Sequence, residues 1–320
     1  MRFIIIATLL LVSFLNALSF DLIELYRTKG IKAVEKVISS QLTNQEYWDK
    51  NLKYKDVSNG YYESIRYLMV CQKDLKDIVL YDTKNKQKLF SSSVFTGKAQ
   101  GDKKKEGDLK TPIGAYSLTN KLTKLDPFYG PLALTTNYPN LYDKANGKTG
   151  HGIWIHGLPK KGQRDDFTKG CIALDNNKIK KLDNSINIEN SVLVISEEKL
   201  KKVSKKDISL VLSKIFSWRD AWKQSDIQRY LSFYDENFRR SNGQDFKKFS
   251  QFKKRIFKRK EKKIINFSNI NIIPYPNDMN KKIFKVVMDE YYKTKNYKFN
   301  GKKELYVEIL GDKFKILTES

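Results

Sequence analysis

The sequence predicts a mainly β domain over residues 67–198 and a separate α+β domain over 205–320, preceded by a short helical segment at 20–66. Three observations predict this. At 320 residues the chain is long enough for about two buried cores. The apolar spacing changes from helical to strand-like at Tyr67. A charged connector, "EEKLKKVSKKDIS", then separates the strand-rich stretch from a run that opens with helices and closes with extended segments. With 40% hydrophobic and 12% aromatic residues the composition is that of a globular protein.

"MRFIIIATLLLVSFLNALSF" has Arg2, an apolar stretch from Phe3 to Leu15, and then small residues. Ala17 and Ser19 fit a signal-peptidase cut before Phe20, so residues 1–19 read as a cleavable export signal. The stretch is shorter than the roughly 20 residues that span a bilayer. This predicts a periplasmic protein and excludes nucleic acid as its everyday partner. Next, "FDLIELYRTKGIKAVEKVISSQL" places Leu22, Leu25, Ile31, Val34 and Ile38 near one helical face, interrupted by Gly30. From Tyr67, "YLMVCQ", "DIVLYDT" and "KLFSSSVFTG" read as strands of an antiparallel meander. "GDKKKEGDLKTPIG" is a glycine-punctuated loop, and "AYSLTNKLT", "LALTTNYP", "HGIWIHG", "CIALD" and "SVLVIS" resume strand character.

Beyond the connector, "DISLVLSKIFSWRDAWKQSDIQRYLSFYDENFR" and "QDFKKFSQFKKRIFKRKEKK" have helical spacing. Three extended runs follow, "INFSNINIIPYP", "KKIFKVVMDEYYKT" and "KKELYVEILGDKFKILTES". The net charge is +25, and residues 201–320 carry 30 Lys and Arg against 14 Asp and Glu, a net +16. The basic face of "KKFSQFKKRIFKRKEKK" suits an anionic envelope polymer, glycan or lipid headgroup, or is simply a solvated surface. No arginine-rich recognition helix or aromatic RNA motif is present. An oligomer stays open.

Both histidines, His151 and His156, and one of two cysteines, Cys171, fall within "HGIWIHGLPKKGQRDDFTKGCIALDN". A structural zinc site normally needs four ligands, and no second Cys/His pair exists. A spacing of five along one strand also sends the two imidazoles to opposite faces. A thiol site fits better: a cysteine attacks as thiolate, and an imidazole can take its proton and return it to a leaving amine. His156, before Gly157, is the favoured base, and His151 is a wall residue. Gly170 suits a tight turn that aims backbone N–H groups at an oxyanion. Two alternatives stand beside this, Cys171 as a small core residue and a Cys71–Cys171 disulfide; Cys71 itself is read as a buried structural thiol.

"IHG" followed by "TKGCIAL", with the earlier "GDKKKEGDLKTPIG" and "NYPN", resembles the L,D-transpeptidase (YkuD-like) catalytic domain over about residues 67–196. The resemblance implies a β-sandwich-like fold, Cys171 as nucleophile, His156 as base, and the Gly157 carbonyl as the group that orients the imidazole. It implies peptidoglycan stem peptides as substrate, with Gly170, Thr168, Lys169, His151 and Trp154 around the substrate and oxyanion, and neither cofactor nor metal. The family's "SHGC(I/V)R" is altered at Thr168, Lys169 and Ala173; Lys169, Lys161 and Arg164 offer other cations for a carboxylate. "WRDAWKQSDIQRYLSFYDENF" is similar to the opening of nuclear-transport-factor-like (SnoaL-like) domains, cones of helices on a curved sheet. Its aromatic residues Trp218, Trp222, Tyr230, Phe233 and Tyr234 are read as packing. The pairing resembles the L,D-carboxypeptidases that set cell shape in helical bacteria, and implies trimming of terminal D-Ala from tetrapeptides. An L,D-transpeptidase and a non-catalytic wall-binding protein are the alternatives.

Overall fold

A computed structural model describes the backbone of residues 2–159 and 165–320 and the side chains of residues 21–159 and 165–320. The chain begins with two helices, α1 (Arg2–Thr43) and α2 (Gln45–Leu52), the second capped by the Asn44 side chain. Gly30 sits at φ 72°, ψ −179° and breaks the regular turn of α1, as its place in the sequence suggests. Leu22, Leu25 and Val34 are half-buried, but Ile31 and Ile38 are exposed, so the inward face is narrower than the apolar spacing predicts. Among the described residues no helix is long and apolar enough to cross a membrane. The side chains of residues 1–19, where the sequence predicts an export signal, lie outside the described residues.

The first domain contains β2 (Tyr67–Gln72), β3 (Asp77–Asp82), β4 (Gln87–Ser93), β5 (Gly114–Leu122), β6 (Ala133–Thr136), α3 (Leu141–Ala145), β7 (Trp154–His156), β8 (Ile172–Ala173), α4 (Asn176–Asn184) and β9 (Ser191–Ser196); the two-residue β1 (Tyr61–Tyr62) precedes it. Its sheet runs β4-β3-β2-β9-β5-β6-β7-β8. The expected meander is only partly present. β2 pairs with β9 in parallel and β7 with β8 in parallel, so the sheet is mixed. The continuous apolar runs "YLMVC" and "SVLVIS" are explained by this: β2 and β9 lie at the centre and bury both faces. One face, with Met69, Cys71, Leu193, Ile195, Ile155 and Ile172, packs under Ile179 and Leu182 of α4. No disulfide joins Cys71 to Cys171, and Cys71 is sealed in this core, where burial pushes its thiol up to about 12.

The second domain has α5 (Lys205–Gln224), α6 (Ile227–Ser232), β10 (Tyr234–Arg240), α7 (Phe246–Phe257), β11 (Ile264–Tyr275), β12 (Ile283–Lys293), β13 (Lys298–Leu310) and β14 (Lys313–Glu319). "YDENFRR" is a strand rather than the expected helix, and the last extended run folds back at Gly311 into two strands. The sheet order is β1-β11-β12-β13-β14-β10. Trp218, Tyr230 and Tyr234 are buried in the core beneath the helices, with Trp222 beside them and Phe233 packed at the edge.

Two features tie the domains together. The N-terminal segment belongs to the second domain: Leu52 and Val57 enter its core, Trp48 stacks on Phe216 at 5.6 Å, and β1 extends its sheet along β11. The two sheets also share a core, with Leu68, Val70, Val192 and Val194 packed against Ile273, Tyr275, Ile283 and Tyr306 across Tyr142 of α3. At its edge Lys148 Nζ bridges Asp102 Oδ2 (2.5 Å) and Asp143 Oδ1 (2.8 Å), and the Tyr275 hydroxyl donates to Asp143 Oδ1 (3.1 Å).

The loop between β4 and β5 is organised on Asp108. Its carboxylate accepts from Lys103 Nζ (2.7 Å) and from the N–H groups of Lys104, Lys105 and Lys110. Burial alone would raise this carboxyl, but the Lys103 ammonium and those N–H donors outweigh it and hold it at about 2. The stabilisation is present above the ordinary value of 3.8 and is lost as the pH falls through about 2. Asp108→Asn should therefore cost about 1–3 kcal/mol in urea melts at pH 7 and progressively less towards pH 2. An equal cost at both ends of that range would show that the ionised form is not the source.

Candidate active site

β7 lies between β6 and β8, with Ala133 and Ala173 as the two cross-strand neighbours of His156. Both alanines are fully buried, and their small side chains leave room for the imidazole, itself 1% exposed. Ile155 pairs with Ile172 and His156 with Ala173, so the register continues Cys171 opposite Trp154. Paired residues share a face and alternate residues along a strand share it too, so Cys171 and His156 belong to one face of the ladder, two positions apart.

The imidazole is held from behind. His156 Nδ1 lies 2.6 Å from the carbonyl oxygen of Gly157. A carbonyl only accepts, so Nδ1 carries the hydrogen, and Nε2 of the neutral ring has its lone pair available as base. The edge of Tyr129 meets the same ring at 5.0 Å, and the Tyr129 carbonyl accepts from Gly157 N–H at 3.0 Å. A Cβ on Gly157 would meet the Asn176 side-chain oxygen and lie 2.7 Å from Pro131 Cδ. That Asn176 oxygen also accepts from Leu158 N–H at 2.9 Å, which closes the turn after the strand. Tyr129 and Asn176 had no motif in the sequence to mark them. They act through a backbone carbonyl and a loop-to-loop contact.

Cys171 is half-buried at the end of a turn, with Sγ 3.3 Å from the carbonyl oxygen of Gly152. Thr168 is buried and organises that turn: its hydroxyl donates to the Cys171 carbonyl at 2.7 Å and accepts from Gly170 N–H at 3.0 Å. The Gly170 N–H, placed among the oxyanion donors from sequence, is thus engaged within the turn. Gly170 itself has φ +135° and its missing Cβ would stand 2.8 Å from the Lys110 carbonyl oxygen, so no other residue fits. Lys169 is exposed. His151 lies outside β7, exposed between Gly150 and Gly152. Trp154 is half-buried and packs on Tyr129 at 5.1 Å, forming with Tyr129 and the half-exposed Phe128 an aromatic wall next to His156. Lys161 and Arg164 lie outside the described residues.

Both domains match known families. Residues 66–194 match the L,D-transpeptidase catalytic domain, and residues 210–320 match the Cds6 C-terminal NTF2-like domain. The crystal structure of the helical cell shape determining protein Pgp2 from Campylobacter jejuni is 43% identical, covers 87% of this chain and 99% of that one, and superposes with a TM-score of 0.82. Bd1075 from Bdellovibrio bacteriovorus is 29% identical, covers 83% and 95%, and has a TM-score of 0.66. YafK of Escherichia coli K12, which carries an L,D-transpeptidase name, is 37% identical over 79 residues, a match that spans 25% of this chain and 29% of that protein.

Gly157→Ala should displace the carbonyl that fixes His156. Alkylation of Cys171 near pH 7 is expected to slow by about tenfold or more, while the rate at pH 9, where a free thiol ionises unaided, changes little. Equal slowing at both pH values would mean that the substitution merely blocks access. Through its catalytic domain and the NTF2-like domain behind it, the chain belongs to the L,D-transpeptidase family.

Proposed function

We propose that this chain is an exported L,D-carboxypeptidase that removes the terminal D-Ala from peptidoglycan tetrapeptide stems by way of a thioester on Cys171. The observation that supports the reading is the hydrogen bond of His156 Nδ1 to the Gly157 carbonyl, which leaves Nε2 as the basic nitrogen of a ring that shares a ladder face with Cys171. Residues 1–19 act as the export signal, 67–198 as the catalytic domain and 205–320 as the accessory domain. The relative from Campylobacter jejuni is described as determining helical cell shape, and a role in cell shape is the corresponding reading here.

In the reaction, Nε2 of His156 takes the Cys171 proton, and the thiolate attacks the carbonyl carbon of the diamino-acid residue that precedes D-Ala. Negative charge collects on the carbonyl oxygen and is met by the backbone N–H of Cys171 rather than that of Gly170. The imidazolium then protonates the departing nitrogen, the C–N bond breaks, and D-Ala leaves. Water, deprotonated by His156, attacks the thioester; the C–S bond breaks, the thiol is regenerated, and a tripeptide is released. No step needs a metal or cofactor. An amine in place of water would give a crosslink instead. The altered "TKGCIA" and the NTF2-like partner domain favour water. The outward residues Lys247, Lys248, Lys254 and Arg255 of α7 are all exposed and suit an anionic envelope polymer or glycan.

Purified muropeptides incubated with the protein should yield tripeptides and free D-Ala. Cys171→Ala should abolish the conversion, and His156→Ala should slow it by on the order of 10²-fold or more, with both proteins still folded by circular dichroism at the assay temperature. New diamino acid to diamino acid crosslinks in digested sacculi, without tripeptides, would assign transpeptidation. An inert thiol with retained sacculus binding would assign a non-catalytic wall protein.

A further inference from the structure

Ala173, where the family motif carries arginine, is fully buried between His156 and Phe95 and supplies no charge. Two lysines lie instead on the paired segments that lead into Cys171. Gly97 bridges Thr168 in parallel; Thr168 N–H donates to Thr96 at 2.7 Å and Lys98 N–H donates to Thr168 at 3.0 Å. That register sets Lys98 beside Lys169. Thr168 is buried, whereas Phe167 is half-buried and Lys169 is exposed. The Lys98 ammonium stands 4.9 Å from the centroid of Phe167, two residues before Lys169, which draws it towards that segment. Lys98 and Lys169 are both exposed, and neither has a carboxylate partner among the described residues, although Asp165 and Asp166 lie just upstream.

The reach is right for a substrate group. Lys169 precedes Cys171 by two residues, so their Cα atoms are within about 7 Å, and a lysine stem adds about 6 Å more. In a stem ending in D-Ala the terminal carboxylate carbon is three bonds from the carbonyl under attack, about 4 Å away. A cation that holds it must therefore sit close to the thiol, on the side from which D-Ala leaves.

We propose that Lys98 and Lys169 form a two-lysine site for the terminal carboxylate of the stem peptide, in place of the missing arginine. This rests on the carboxypeptidase reading and adds what it lacks, the group that selects a free C-terminus. Two ammonium groups on one carboxylate make charge-assisted hydrogen bonds that an amide or an internal peptide bond cannot match. The site thus selects exopeptidase cleavage.

The test compares release of D-Ala from a tetrapeptide and of D-alaninamide from its C-terminal carboxamide, by the wild type, the Lys98→Gln/Lys169→Gln protein and the corresponding double arginine protein. The glutamine pair should raise KM for the acid by about tenfold or more, leave kcat within about threefold, and remove the preference for acid over amide. The arginine pair should restore it. A KM for the acid unchanged within about twofold, or equal loss on acid and amide, would overturn the proposal. An unchanged thermal unfolding midpoint checks that the variant is folded. Tetrapeptide titrated into Cys171→Ala protein reads the site without turnover: binding lost with the glutamine pair supports it, and binding unaffected overturns it. Failure of the wild type to release D-Ala would instead overturn the carboxypeptidase reading, with the binding comparison still deciding the two lysines.

Discussion

The parallel register between β7 and β8 is the constraint on which the site depends. Pairing Ile155 with Ile172 and His156 with Ala173 places an imidazole and a thiol on one face of two short strands. Because side chains alternate along a strand, a slip of one residue would send one of them to the opposite face. The register is held on both sides. Leu174 N–H donates to the His156 carbonyl, Phe95 exchanges two backbone hydrogen bonds with Ala173, and β6 pairs with β7 from the other edge. Behind it, Gly157 and Gly170 each occupy a place where a Cβ would collide with neighbouring atoms. The chemistry is set by backbone geometry, and no acidic side chain is needed to orient the histidine.

This precision is supported from a distance. The first domain does not stand alone: one face of its sheet packs on the sheet of the second domain, and a buried lysine with two carboxylates and a tyrosine lies at the seam. Lys148 in that group is four residues before Gly152, whose carbonyl receives the Cys171 thiol. Asp102 in the same group accepts from Ile113 N–H at 2.8 Å and so anchors the loop that carries Lys110. The NTF2-like domain is therefore part of the frame around the thiol. Burial of such a charged cluster contributes less to net stability than to a single fixed arrangement, since removing one member leaves another charge buried without its partner.

Much of this was legible in the sequence. The strands of the first domain stand out because their apolar runs are bounded by turn residues, and "IHG" with "TKGC" marks the two residues that the fold brings to one face. The pairing of those strands was not legible. β2 meets β9 across more than a hundred residues, and nothing local distinguishes a parallel central strand from a meander strand. The N-terminal helices were recognisable as helices, but not as part of the second domain's core, since amphipathicity names a buried face and not its partner. Tyr234–Arg240 has helical polarity yet forms an edge strand, because pairing with β14 overrides local preference. Tyr129, Asn176 and Lys98 escaped notice for a common reason: each reaches the site through backbone contacts or strand register, which carry no side-chain signature.

The account turns on the state of one imidazole, and nitrogen-15 NMR of the two histidine rings reads that state directly, with His151→Gln protein separating their signals. In its neutral form His156 should be the tautomer with hydrogen on Nδ1, coupled to the Gly157 carbonyl, and with an unprotonated Nε2. A neutral His156 with hydrogen on Nε2 would contradict the account, because that ring could not accept the proton of Cys171.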